Sequence, residues 1–251
     1  MTASAAAGAA VHRGSLADLE SLQRGAAAAD AVIHTAFIHD FTDFAASARV
    51  DQRAIEAMTA TLAGSGKPFI VTAGTLGLPP GRPGTEDDKP ASSMPRRSEA
   101  AGLAAAAQGV RAMVIRLPPS VHGDGDHGFV PALIQLARER GFAMYVGDGR
   151  HRWPAVHRLD AARVYRLALE QGSAGAVFHA IADEGIPVRE IAERLGISRW
   201  DQDWAFRWSM AKMSPTQRDE IRVVQQDPPR PAAARSLGRP ARPRPRPKGR
   251  P

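Results

Sequence analysis

Three short, mostly apolar runs, Ala31–Phe37, Pro68–Thr72 and Val110–Leu117, constrain this chain more than any other feature. Each ends in a turn or a proline, and between them lie stretches whose apolar residues recur at three- and four-residue spacing. A strand that is apolar throughout needs cover on both faces, so strands of this kind alternating with helices indicate a parallel sheet between two helical layers.

The helical stretches read as follows. Val50 to Ser65 carries Ile55, Met58, Thr59 and Leu62 on one face and is stopped by Gly64 and Gly66. Arg96 to Gln108 is alanine-rich and closed by Gly109; Phe129 to Arg140 ends at Gly141. Asp160 is the expected cap of a helix bearing Val164, Leu167 and Ala168, with Gly172 beyond its end, and Ala176–Ala180 is a late strand. The passage from Gly74 to Gly84, dense in glycine and proline, is a long loop. Ligands of such sheets bind at the carboxyl ends of the strands, so the loops after Phe37, Thr72 and Leu117 are where chemistry is expected.

Composition narrows the classes. Alanine fills 47 of 251 positions, which favours thin helices lying close to a sheet. The absence of cysteine removes disulfide scaffolds, cysteine-bound zinc, iron–sulfur clusters and thiol nucleophiles, and fits a reducing cytoplasm. No apolar stretch approaches the length of a membrane span, and the alanine- and glycine-rich start does not read as a signal peptide. The net charge of +7 is a property of one end: residues 228–251 hold eight cations and no acid, leaving 25 Lys+Arg against 26 Asp+Glu before them. That Arg/Pro-rich segment, with eight of the 20 prolines, is expected to be a disordered tail.

Four segments stand in order: Ala31-Val32-Ile33-His34-Thr35-Ala36-Phe37, Phe69-Ile70-Val71-Thr72-Ala73-Gly74-Thr75, Val114-Ile115-Arg116-Leu117-Pro118-Pro119-Ser120-Val121-His122-Gly123, and Val156-His157-Arg158-Leu159-Asp160-Ala161-Ala162. Together they resemble the extended or atypical short-chain dehydrogenase/reductases, nearest the NAD-dependent epimerase/dehydratase branch, from about Ala9 to Leu195. The resemblance implies an α/β fold, a Rossmann-like, mostly parallel, doubly wound sheet that binds NAD or NADP. Thr35, Ala36 and Phe37 would pass the adenosine and pyrophosphate side, and Pro118, Pro119, Ser120 and Val121 would lie near the nicotinamide. It further implies an oxidoreductase or epimerase acting on a small carbonyl or sugar-like substrate.

The chain departs from the family pattern at three points. No Gly-x-x-Gly-x-x-Gly turn, whose amides hold the pyrophosphate, occurs in the sequence. Val11–Leu16 resembles the family's third strand, so the expectation is a sheet truncated at its N-terminal side, as a gene start placed too far downstream would give, with an unpaired central edge. The family's Tyr-x-x-x-Lys pair falls on Pro95-Arg96-Arg97-Ser98-Glu99, which offers neither proton donor nor activating cation at those positions. Tyr165 is expected to serve packing inside its helix. The family hydroxyl would fall within Thr72–Thr75, which makes Thr72 and Thr75 the candidates for orienting a substrate carbonyl.

His122-Gly123-Asp124-Gly125-Asp126-His127 has the residue types of a metal site, but the position of a calcium loop's closing glutamate is Gln135. A substrate-side loop is the better reading and no metal is expected. His122, His127, Trp153 and His157 are the substrate candidates, with Arg150 and Arg152 beside them. His34, His39 and Asp40 read as polar residues at a strand end. Pro187–Ser198 resembles the first helix and turn of a helix-turn-helix, but Gln202 sits at the expected apolar anchor and Asp201 and Asp203 would face phosphates.

Residues 1–195 are thus expected to form the nucleotide-binding-type domain, 196–227 a poorly defined aromatic and polar segment, and 228–251 the tail. The partner is a small-molecule substrate; no membrane is implied, and oligomeric state is not legible. The alternative is a nucleic-acid-binding protein that uses the helix-turn-helix-like segment and the basic tail, which is the expected route to any nucleic acid or other polyanion.

Overall fold

A computed structural model describes residues 6, 8–40 and 42–195, and the backbone of 221–224. The expected aromatic segment, the second half of the helix-turn-helix likeness and the basic tail lie outside these residues, the strand 221–224 excepted.

The main sheet has four parallel strands in the order β1 (Val32–His34), β2 (Pro68–Gly74), β3 (Arg111–Leu117) and β7 (Val177–His179). Ile33 pairs with Ile70, Ile70 with Met113, Thr72 with Ile115, and Ile115 with Phe178. The middle five residues of β2 and β3 are buried without interruption, as cover on both faces requires. Alternate side chains divide between two cores. Phe69 and Val71 face Ile55, Met58, Leu62 and Ala105, on α2 (Phe44–Leu62) and α3 (Ser98–Ala106), with Ala26 of α1 (Leu19–Ala28). Ile70, Met113 and Ile115 face the other way, toward Ala168 of α5 (Arg158–Gln171). Gly102 lets α3 settle onto β2: a Cβ there would lie 2.5 Å from Val71 Cγ2.

Between β3 and β7 the chain leaves the main sheet and builds a smaller unit. β4 (Ser120–His122) runs parallel to β6 (Arg152–His157), and β8 (Asp183–Pro187) pairs antiparallel with the other side of β6. α4 (Phe129–Arg140) ends on Gly141 in the left-handed region at φ 76°, within the bounds expected from sequence. β5 (Ala143–Val146) pairs antiparallel with β9 (Ile221–Val224). α6 (Val188–Leu195) buries Ala192 with Ala137 and Ala143, so its apolar face is used within this unit.

Several boundaries move from expectation. α2 starts at Phe44 rather than near Val50, because the Asp43 carboxylate accepts the Ala46 amide at 2.9 Å and opens the helix earlier. α3 is shorter than Arg96–Gln108. α5 is capped by His157, whose Nδ1 accepts the Leu159 amide at 3.3 Å; Asp160 lies inside the first turn. Val11–Leu16 forms no strand. Its segment instead meets α1, with His12 Nε2 2.9 Å from the Ser21 carbonyl, and β1 is the sheet's outer strand among the described residues, with Ile33 41% exposed. Among the described residues no helix is long and apolar enough to cross a membrane.

Candidate functional site

The carboxyl ends of β1 and β2 open onto a cavity of about 130 Å³ whose walls include Phe37, Gly74, Met94, Arg96, Glu99 and Phe129. Ala73 and Gly74, at the end of β2, also line it. A Cβ on Gly74 would meet nothing closer than the Leu117 carbonyl oxygen at 3.8 Å, so a flat group can approach the strand end closely.

Arg96 is the cation of this cavity. Its Nε donates to Ser98 Oγ at 2.8 Å, its Nη2 donates to the Thr72 carbonyl at 2.8 Å, and its guanidinium carbon stands 4.2 Å from the centre of the Phe37 ring. Ser98 donates in turn to Asp51 Oδ2, and Asp51 Oδ1 lies 2.8 Å from His34 Nε2. His34, Asp51 and Ser98 are buried, so one polar chain runs from the end of β1 through α2 and α3 to the cavity wall. Burial pulls the Arg96 pKa down while Asp51 and Tyr165 oppose this.

The loop from Thr75 to Arg97 is fixed by a second buried arginine. Arg116 on β3 donates to Glu99 through Nε at 2.8 Å and Nη2 at 2.6 Å, to the carbonyl of Thr85 at 3.2 Å and to that of Asp88 at 2.6 Å. Its Nη1 also lies 3.0 Å from His179 Nε2. Arg82 and Asp88 close the loop on itself, and this pairing holds the Asp88 carboxyl well below the usual carboxylate range.

The site residues expected from sequence are distributed as follows. Thr72 is buried and its Oγ1 lies 2.6 Å from Tyr165 Oη, on the α5 side of β2. Thr75 lies past the strand end with its amide on the Leu117 carbonyl at 3.1 Å; neither threonine is a cavity wall. Thr35 and Ala36 are exposed, whereas Phe37 is half-buried and forms a wall. Pro118 is buried, Pro119 is half-buried, and Ser120 and Val121 belong to β4, paired with Ala155 and Val156. His122 and His157 meet with ring centres 5.5 Å apart, and Trp153 meets Phe129 at 5.9 Å, which joins the smaller unit to the cavity wall. His127 is exposed in the loop before α4. Among the described residues no group of three or more His, Asp or Glu side chains could hold a metal ion.

One expectation is corrected. Tyr165 is not merely packing: it brings a hydroxyl to Thr72, and its burial raises the phenol pKa, against the Thr72 bond and Arg96, which lower it. The sequence signal was available, since Ala161, Tyr165 and Ala168 share the sheet-facing stripe and a buried phenol needs a partner. A cation is also present, supplied by Arg96, one position after Pro95, while Glu99 is committed to Arg116. Gly123-x-Gly125-x-x-Gly128 has the spacing of a phosphate-binding turn, but it follows β4 of the smaller unit and its Gly128 amide donates to Asp126 at 2.7 Å.

The profile of the NAD dependent epimerase/dehydratase family matches residues 2–181. An uncharacterized protein of Schizosaccharomyces pombe is 48% identical over 194 residues, covering 76% of this chain and 66% of its own length. One of Saccharomyces cerevisiae is 44% identical over 187 residues, covering 73% of this chain and 63% of itself. The chain therefore spans less than two thirds of the length of these curated relatives. Among solved structures, dTDP-glucose 4,6-dehydratase from Streptomyces venezuelae with NAD bound superposes with a TM-score of 0.62 at 19% identity, over 72% of this chain and 61% of that one. UDP-glucose 4-epimerase of Thermus thermophilus in complex with NAD gives 0.60 at 17% identity, over 75% and 68%. At these identities the likeness is one of fold, and it agrees with the parallel order of β1, β2, β3 and β7. Sequence and fold lead to one conclusion: the chain belongs to the NAD dependent epimerase/dehydratase family.

Proposed function

We propose that the chain is the core of an NAD(P)-dependent oxidoreductase or epimerase of the short-chain dehydrogenase/reductase type, acting on a small carbonyl or sugar-like compound. Residues 1–195 are the working unit. The observation that carries this reading is the cavity at the carboxyl ends of β1 and β2, lined by Gly74, Phe37 and Phe129 among others, in the place where parallel sheets of this type take ligands. Related folds hold NAD in the dehydratase and the epimerase named above, whose names give dTDP-glucose and UDP-glucose, sugars carried on a nucleotide diphosphate.

The residues present fit the nicotinamide half of such a cofactor. Open backbone at Gly74 lets a flat ring approach the end of β2, and Leu117, paired with Gly74, leads into Pro118–Val121; the ring would lie over the ends of β2 and β3, leaving the cavity walled by Phe37, Arg96 and Phe129 to the substrate. The glycine turn that grips pyrophosphate in this family is not among the 251 residues. When bound, NAD(P) supplies or accepts the hydride. The chain's own residues would orient the substrate: Phe129 with Trp153 gives it apolar cover, His122 and His157, which meet each other on β4 and β6, serve as its substrate-side polar groups, and Arg116, through Glu99 and the carbonyls of Thr85 and Asp88, fixes the Thr75–Arg97 loop that carries Met94 and Arg96 to the cavity wall.

Fluorescence titration of NADH and NADPH into the 251-residue chain tests the proposal. Saturable binding of either is the expected result; a response that stays linear would overturn it for this chain. Nucleic-acid binding, the alternative, rests on the basic tail, outside the described residues, and on a helix-turn-helix likeness of which α6 is described and packs its apolar face on Ala137 and Ala143. A gel shift comparing the full chain with one ending at Asp227, across salt, would reveal any contribution of the tail.

A further inference from the structure

The Arg96 guanidinium has five N–H donors and only two protein acceptors among the described residues, Ser98 Oγ and the Thr72 carbonyl. Both N–H groups of Nη1 and one of Nη2 therefore remain for something else, on a half-buried side chain that forms part of the cavity wall. The group is not free to seek a partner elsewhere. Ser98 is backed by Asp51, the Thr72 carbonyl is fixed within β2, and Phe37 covers one face of the guanidinium. Donors held this rigidly lose little freedom when a ligand arrives, and a guanidinium edge matches the two oxygens of a carboxylate.

Besides Arg96, the polar side chains in the wall are His39, Ser98 and Glu99, and the remainder is apolar. Phe37, Ala73, Leu76, Met94 and Phe129 surround the cavity, and the one carboxylate in the wall, Glu99, is already taken by Arg116. An engineered apolar cavity of about 150 Å³ is known to hold benzene, so about 130 Å³ suits one six-membered ring or a branched chain of similar bulk.

We propose that this cavity is a carboxylate subsite, in which Arg96 binds the carboxylate of a compact apolar acid whose ring or chain lies among Phe37, Met94 and Phe129. As an account of the substrate, an apolar acid rather than a polar sugar, it rests on the functional reading above. The binding itself does not need the cofactor. It also gives this chain a use for a residue next to the vacated tyrosine position: a fixed donor that recognises an anion.

Benzoate is the probe and benzamide, of nearly the same shape but neutral, its control, both titrated into the 251-residue chain and followed by amide chemical shifts. Benzoate is expected to saturate, with shifts in Gly74 and Phe37, and benzamide to bind about tenfold more weakly or not at all, the range a charge-assisted hydrogen bond provides. Arg96→Met should lose the benzoate response about tenfold, and Arg96→Lys should retain part of it. Met94→Trp leaves the Asp51–Ser98–Arg96 chain untouched while filling the cavity, and should abolish the response; it keeps the test decisive if an Arg96 variant fails to fold. Equal binding of benzoate and benzamide, or undiminished binding by Met94→Trp, would overturn the proposal. A chain that binds benzoate but not NADH would instead count against the cofactor reading alone.

Discussion

Arg116 and Glu99 meet through two hydrogen bonds, 2.6 and 2.8 Å long, with 1% of the arginine side chain and 12% of the glutamate exposed. The pair joins β3 to α3, and the same guanidinium carries the carbonyls of Thr85 and Asp88. Removing one member strands the other in a poorly solvated place. Arg116→Met is therefore expected to destabilise the chain by about 3 kcal/mol, measured as the shift of its urea midpoint at constant slope. Amide exchange at Asp88 should accelerate in the same variant, because the loop loses its anchor.

Asp51 is fully buried and serves His34 on one oxygen and Ser98 on the other. Asp51→Ala takes the partner from the His34 ring nitrogen and the acceptor from the Ser98 hydroxyl proton inside the protein, at an expected cost of about 2–4 kcal/mol. Asp51→Asn keeps the volume and one acceptor and should cost less. A thermal melt of the two variants beside the parent would show the order; an Asp51→Ala protein as stable as the parent would remove the polar chain from any structural role.

Tyr165 gives a pH dependence with a definite sign. Its folded pKa lies above the ordinary tyrosine value, with burial the main cause, so the native state holds the phenol proton more tightly than the unfolded chain. This contribution is fully present below the unfolded pKa of about 10 and declines as pH rises from there through the folded value. Denaturant melts between pH 8 and 11 should show stability falling at the alkaline end. In Tyr165→Phe that part of the fall should be missing, at the price of the bond to Thr72.

Gly102→Ala sets two effects against each other. Alanine favours the helix by about 1 kcal/mol. Its Cβ would come within 2.5 Å of Val71, which is fully buried and has no room to retreat, and overpacking of this kind costs about 1–3 kcal/mol. The net expectation is destabilisation, readable as a lower melting temperature. A gain would mean that α3 can lift from β2.

The main sheet was legible because its strands are apolar throughout and its helices have clear stops; Ile33, Ile70 and Ile115 lie on adjacent parallel strands as that pattern requires. α4 was legible to the residue because Gly141 leaves no other end. The smaller sheet was not, since β4 has three residues and β8 carries Asp183, Glu184 and Gly185, with no alternation to read. Helix starts shifted where a nearer side chain captured the first amides, Asp43 in α2 and His157 in α5. The candidate site was legible only as a place. What fills it depends on pairings across long sequence separations, Arg116 with Glu99, Thr72 with Tyr165 and Asp51 with Ser98, and no local pattern encodes those. Arg96 was hidden for a different reason: the family pattern directs attention to the positions of Pro95 and Glu99, and the cation stands between them.

The outer flank of the sheet has a practical consequence. Among the described residues β1 is three residues long, lies at the margin of the sheet and leaves Ile33 facing solvent. Backbone groups along such a margin act as a template for another strand, so wherever β1 is left uncovered, concentrated solutions of the 251-residue chain would tend toward edge-to-edge stacking. A lysine in place of Ile33 is the natural gatekeeper for anyone who needs the protein monodisperse.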